Sequence, residues 1–126
     1  MAERDGIAAL PQAPERIFSP SFLKERPAVV DEYLRSRPAN DPHAYAAAAR
    51  AMARYNYTSD LETLRCPTLV IVGADDVMTP PGGSVIIHRR IAGSRLHIVP
   101  EAGHGMLVEQ PDTFNRLVLD FLRALP

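Results

Sequence analysis

An α/β architecture with parallel strands is the fold class this sequence predicts, and three observations carry it. Leu69-Val70-Ile71-Val72 is a short apolar run without alternation, the pattern of a parallel strand covered on both faces. Leu96-His97-Ile98-Val99 is a second short strand-like run, reached through the Gly93-Ser94 turn. Between the two, Gly82 to Ile91 carries Val85, Ile86, Ile87 and Ile91, enough for a short crossover helix. Strand, helix and strand in that order form one βαβ unit, whose parallel strands finish on the same edge of the sheet.

In chain order, residues 1–60 read as a helical segment and residues 61–126 as a βαβα unit. Met1 to Arg16 is short on periodicity and contains Pro11 and Pro14, so it reads as a loosely held leading segment. Ser19-Pro20 starts a helical turn, with a capping hydroxyl ahead of proline. After Pro27, the residues Val29, Val30, Tyr33 and Leu34 form one apolar stripe at helical spacing until Pro38 stops it. Asn40-Asp41-Pro42 opens a stronger helix, in which Tyr45, Ala48, Ala49, Met52 and Tyr55 recur on one face. Its alanine-rich surface leaves little side-chain area to bury, so this segment is expected to depend on packing over another surface. Asp60 to Arg65 links into the first strand. Pro111 to Leu125 is the clearest helix, with Phe114, Leu117, Val118, Phe121, Leu122 and Leu125 on a face expected to cover the sheet.

Composition narrows the function classes. A chain of 126 residues suits one domain, and a net charge of -1 offers no electrostatic footprint for nucleic acid or an anionic membrane. A small-molecule substrate or a protein partner fits better. No run approaches about 18 apolar residues and no long apolar core follows Met1-Ala2-Glu3-Arg4-Asp5, so neither a membrane span nor a signal peptide is expected. Cys66 is the single cysteine, which excludes an internal disulfide and fits a reducing, cytoplasmic compartment. His43, His88 and His97 fall in the helical segment, the crossover helix and the second strand. With no Cys or His pair at metal-ligand spacing, no zinc site and no cofactor are expected.

The loops that leave the two strands carry the chemistry. Gly73 ends the first strand, and Asp75, Asp76, Thr79, Pro80, Pro81, Gly82 and Gly83 follow as breakers. Pro100-Glu101-Ala102-Gly103-His104-Gly105 leaves the second. Open α/β sheets bind ligands beyond the carboxyl ends of their strands, and neighbouring strands lie roughly 4.8 Å apart, so Asp76 and His104 can meet. An aspartate that holds a histidine in one tautomer is two thirds of a nucleophilic triad. The plainer readings are an Asx-type turn ahead of Pro80 for Asp76 and a surface histidine for His104. Glycine on each side of His104 is expected to give its backbone unusual angles and so present the ring. Asp75 reads as solvated or capping. Met52, Met78 and Met106 read as packing residues, and Met78 and Met106 could equally line a pocket beside the pair.

Gly73-Ala74-Asp75-Asp76-Val77-Met78-Thr79-Pro80-Pro81, then Pro100-Glu101-Ala102-Gly103-His104 and Glu109-Gln110-Pro111, resembles the C-terminal half of an α/β-hydrolase. Within that superfamily it is most similar to 3-oxoadipate enol-lactonases and related esterases. Ile17-Phe18-Ser19-Pro20-Ser21-Phe22 resembles the opening of their cap, so the resemblance covers nearly the whole chain but only the latter half of a family member. It implies a C-terminal part of an α/β-hydrolase fold, with residues 1–60 as cap, Asp76 as triad acid and His104 as triad histidine. The reaction it implies is hydrolysis of an ester or enol-lactone through an acyl-serine.

The family's G-x-S-x-G nucleophile elbow is not found in these 126 residues. Gly82-Gly83-Ser84-Val85-Ile86 begins like one, but Ile86 stands in place of the second glycine, and Ser84 is read as a helix cap. Ser94 and Cys66 precede their strands and so lie at the opposite end of the sheet. The oxyanion-hole loop and earlier strands are not found either, which leaves the first strand with an unpaired edge. Two expectations follow. In one, the chain is the cap, acid and histidine portion of a hydrolase, completed by an N-terminal half and inactive alone. In the other, it is a non-catalytic module that forms a homo-oligomer or docks a partner through that edge. An incomplete gene product is the third possibility.

Overall fold

A computed structural model of the chain describes residues 13–37 and 41–125. The expectations for residues 1–12, for the stop at Pro38 and for the opening at Asn40 lie outside the described residues. Among the described residues three helices precede the first strand: α1 (Pro20–Glu25), α2 (Pro27–Ser36) and α3 (Pro42–Met52). Then follow β1 (Leu69–Gly73), α4 (Pro81–Arg90), β2 (Arg95–Val99), a single turn α5 (Met106–Glu109) and α6 (Pro111–Arg123), with 3-10 turns at Pro14–Arg16 and Asp60–Thr63.

Among the described residues, proline opens every α-helix but α5, because at the first helical position its fixed φ is already helical and its missing N–H has no partner to lose. Two caps follow from residue type. The Ser19 hydroxyl accepts from the Phe22 N–H at 3.3 Å, and Asp41 Oδ1 accepts from the Ala44 N–H at 2.8 Å. Ser84 corrects the expectation of a cap. The preset Pro80-Pro81 pair starts α4 earlier, at Pro81 with Pro80 before it, so Ser84 lies inside the first turn.

β1 and β2 pair in parallel, from Leu69 opposite Arg95 to Gly73 opposite Val99, with α4 packed on both. Among the described residues the sheet has these two strands, so β1 is unpaired along its other edge. Coverage is thinner than the apolar runs suggest. Val72 and Val99 are buried, but Leu69, Val70 and Ile71 are half-buried and Ile98 is exposed. Of α6, Phe114 and Leu117 pack with Ile71 on the core of Val99, Ala102 and Met106, whereas Leu122 and Leu125 stay exposed.

A second small core holds the leading helices. Phe18 is buried between Phe22 and Tyr33, with ring centroids 5.3 and 5.2 Å away, and α2 buries Val30. In α3 the buried residue is Ala46, while Tyr45 and, at 68%, Met52 are exposed, as is Tyr55 beyond the helix. Met52 is therefore not a packing residue among the described contacts. The stripe read from periodicity, Tyr45, Ala48, Ala49, Met52 and Tyr55, is exposed throughout, and the residue that α3 buries, Ala46, lies off that stripe.

Candidate active site

Both site loops are built on the carboxyl edge of the sheet and are tied to each other by backbone. The Ala74 N–H donates to the Val99 carbonyl at 2.8 Å and the Asp75 N–H to the Ala102 carbonyl at 2.9 Å. This close approach requires Gly73. A Cβ there would run into the Ala102 carbonyl oxygen and come within 2.5 Å of that of Gly103. The side chain of Asp75 remains exposed, as expected for a solvated residue.

The glycines around His104 have a different purpose from the one expected. Neither takes a positive φ; in that loop the left-handed residue is Glu101, at φ 53. They make room instead. A Cβ on Gly103 would lie 2.8 Å from backbone atoms of Phe18 and Ser19, and one on Gly105 would lie 2.8 Å from the Phe18 ring. The leading segment is thus laid directly against the histidine loop and hydrogen-bonded to it, the Gly105 N–H donating to the Ile17 carbonyl at 2.6 Å. Glu109 completes the bracket: Oε1 accepts from the Gly103 N–H at 2.8 Å and Oε2 from the Ser19 N–H at 2.9 Å.

Within this frame Asp76 and His104 meet, with Asp76 Oδ2 3.0 Å from His104 Nδ1. Asp76 is buried to 6% exposure, while the imidazole is 42% exposed. The turn reading and the histidine-partner reading of Asp76 hold together. Oδ1 accepts from the Met78 and Thr79 N–H groups at 2.9 and 2.8 Å, forming the Asx turn, and Oδ2 faces the ring. Thr79 adds its hydroxyl, which donates to Asp76 Oδ2 at 2.8 Å and lies 3.2 Å from His104 Nδ1. Burial alone would raise the Asp76 pKa. The bonds from the Thr79 N–H and hydroxyl and from His104, with the attraction of the ring's charge, outweigh it and bring the pKa below its ordinary value. Because Nδ1 is the nitrogen engaged, Nε2 is left for proton transfer.

The pair borders an open cavity whose apolar walls include Ile71, Met106, Leu107 and Phe114. Of the two methionines weighed for this role, Met106 lines the cavity and is buried, while Met78 is exposed and stands outside it. Ser84 also borders the cavity, with no hydrogen bond to His104 among the described contacts. Cys66 and Ser94 precede β1 and β2, on the opposite edge, as expected. His43 and His97 lie in α3 and β2, and His88 in α4 bonds Ser94 Oγ through Nδ1 at 2.8 Å. Among the described residues no group of three or more His, Cys, Asp or Glu could hold a metal ion. Thr79 and Glu109 are the participants that sequence reasoning missed. A hydroxyl three residues past an acid in a turn was a usable sign for Thr79; for Glu109 the Gly103 contact is six positions away, but the one that makes it a bracket, to Ser19, spans 90 positions and leaves no local signal.

Residues 2–117 match the family model described as the alpha/beta hydrolase family. The chain is similar to a putative carbamate hydrolase, RutD, of Caulobacter, 38% identical over 81 residues that make up 64% of this chain and 30% of that protein. It is 29% identical to 3-oxoadipate enol-lactonase 2 of Acinetobacter baylyi over 119 residues, 94% of this chain and 44% of that one. Among solved structures, a thermophilic esterase from Thermogutta terrifontis superposes with a TM-score of 0.85 at 32% identity, over 97% of this chain and 47% of that one. The chain therefore spans less than half the length of these relatives.

Proposed function

Because the chain belongs to the α/β-hydrolase family, we propose that it contributes the acid and the base of an enzyme that hydrolyses a carboxylic ester or enol-lactone. The observation that carries this reading is the 3.0 Å contact between Asp76 Oδ2 and His104 Nδ1 at the carboxyl edge of two parallel strands. His104 Nε2 takes the proton from an attacking hydroxyl as that oxygen bonds to the substrate's carbonyl carbon, then returns it to the departing alkoxide or enolate oxygen. Water repeats the sequence on the acyl-enzyme, and Asp76 steadies the imidazolium both times. A base so placed contributes about 10²–10⁴-fold. The names of the relatives, an enol-lactonase and an esterase, favour this substrate class.

The attacking hydroxyl and the oxyanion-hole donors are assigned to an N-terminal half that carries the G-x-S-x-G elbow, either beyond these residues or on a second polypeptide. Residues 1–60 act as the cap, and on this reading residues 13–125 alone do not turn over substrate. Among the described residues no helix is long and apolar enough to cross a membrane, and the exposed Cys66 thiol favours a cytoplasmic site of action. The test is to mix or co-express the chain with the N-terminal half of the Acinetobacter enol-lactonase and assay an activated ester. Ester hydrolysis rises in the mixture and disappears with His104→Ala. No rise, or activity that survives the substitution, overturns the proposal.

A second reading rests on the unpaired edge of β1: a homo-oligomerisation or docking module with no chemistry of its own. A discrete dimer by light scattering, together with no hydrolysis in any mixture, favours it.

A further inference from the structure

We infer that Thr79 is a positioning residue for His104, whose hydroxyl holds the imidazole in the tautomer that leaves Nε2 unprotonated. Three atoms make a closed triangle: Thr79 Oγ1 to Asp76 Oδ2 is 2.8 Å, Asp76 Oδ2 to His104 Nδ1 is 3.0 Å, and Nδ1 back to Thr79 Oγ1 is 3.2 Å. The assignment follows from counting protons. An ionised carboxylate only accepts, so the single hydroxyl proton of Thr79 goes to Asp76 Oδ2. The lone pairs of Oγ1 are then what Thr79 turns toward the ring. Nδ1 thus faces two acceptors and satisfies both only when it carries the proton. With the proton on Nε2 instead, Nδ1 would oppose the carboxylate lone pairs across 3.0 Å.

Within the turn the hydroxyl makes one bond, its donation to Asp76 Oδ2, and the turn does not depend on it for closure. The Thr79 N–H donates to Asp76 Oδ1 at 2.8 Å and closes the turn whatever the side chain is. Thr79 is β-branched, so valine preserves its stiff χ1 preference and its approximate shape. Closure of the turn by the Thr79 N–H would therefore survive Thr79→Val, whereas the hydroxyl's donation to Asp76 Oδ2 and the acceptor it turns toward Nδ1 would be lost, and with them the tautomer preference.

The inference rests on the reading of His104 as a base, but its test looks at the ring alone. The 126-residue chain is labelled with ¹⁵N-histidine, and the two ring nitrogens of His104 are observed by NMR near pH ~8, above the ordinary histidine range. In the unaltered chain Nδ1 is protonated and Nε2 bare. In Thr79→Val the tautomer ratio falls about fivefold, the equivalent of one hydrogen bond, and the two signals move toward each other. Thr79→Ser restores the original pattern. If the valine variant loses its dispersed backbone spectrum, Thr79→Ala is read in its place and carries the same expectation. An unchanged ratio in the folded valine or alanine variant overturns the inference, as does a bare Nδ1 in the unaltered chain. Neither result touches the complementation assay, which stands or falls on His104→Ala.

Discussion

Replacing Asp76 by asparagine separates the two tasks that this side chain performs. The asparagine carbonyl oxygen takes over from Oδ1 and still accepts from the Met78 and Thr79 N–H groups, so the turn persists. The amide NH2 takes the place of Oδ2, where two donors now point, the Thr79 hydroxyl and His104 Nδ1. Both partners must reverse. The hydroxyl rotates to accept, and the ring relocates its proton to Nε2. Hydrogen bonds to a charged acceptor contribute about 1.5–3 kcal/mol each and neutral ones about 1, so exchanging two of them costs about 2 kcal/mol of stability. Asp76→Ala strands the two backbone donors as well and costs about 4 kcal/mol. Nε2, once protonated, can no longer accept a proton; in a Ser-His-Asp protease triad the same exchange lowers kcat about 10⁴-fold.

The pH dependence checks the same reasoning with its sign fixed. Asp76 has a lowered pKa in the folded chain, against about 3.9 when unfolded, so the unfolded state binds its proton first on acidification. The stabilisation is complete above the unfolded value and is lost as pH falls through the folded one. Asparagine does not titrate, so the stability gap between Asp76→Asn and the unaltered chain is widest above about pH 5 and narrows toward acid. Urea unfolding at a series of pH values, together with the mixed-halves ester assay, measures both effects. An asparagine variant as unstable as the alanine one, or a gap that widens as the pH falls below the unfolded carboxylate value, would refute the assignment of these bonds.

Two further perturbations probe the frame around the pair. Gly73→Ala places a methyl group against the Ala102 and Gly103 carbonyls; neither is the free end of a side chain, so the loops must part. A loss of more than about 2 kcal/mol in urea unfolding is expected, and a loss under about 0.5 kcal/mol, the range of an inert surface change, would contradict the close approach. Glu109→Ala removes both halves of the bracket at once, so the Ser19 and Gly103 amides should gain hydrogen exchange together while Asp75, bonded to Ala102, stays protected. Faster exchange at only one of the two would show that Glu109 does not join them.

Much of this was legible because it is local. The β1-α4-β2 order, the loop after Gly73 and the candidates Asp76 and His104 all follow from residue type within a dozen positions, and β1, α4, β2 and α6 fall where those patterns placed them, whereas the single turn α5 and the 3-10 turn at Pro14–Arg16 were not foreseen. What escaped is of three kinds. Convergence over long separation has no local trace, which hid the Glu109 bracket. Glycine has two uses, and sequence does not distinguish left-handed backbone from close approach, so Gly103 and Gly105 were assigned the wrong one. Amphipathic spacing identifies an apolar face but not its cover, which is why Met52, Leu122 and Leu125 are exposed on stripes read as packed.

The location of these contacts bears on how the site is assembled. The atoms that align Asp76 with His104 come from the two strand-end loops, from Thr79, and from the segment Ile17 to Ser19 held by Glu109. All of them lie within the described chain. Phe18 and Ser19, which press on the histidine loop, are also its most deeply buried large side chain and its buried cap, so moving the first helix would move His104. The attachment of the leading segment and the orientation of His104 are therefore one structural unit. On the proposed function, the partner half need not organise this pair. It has to bring the nucleophile and the oxyanion donors to a base that is already oriented, and the donors are the larger contribution to rate.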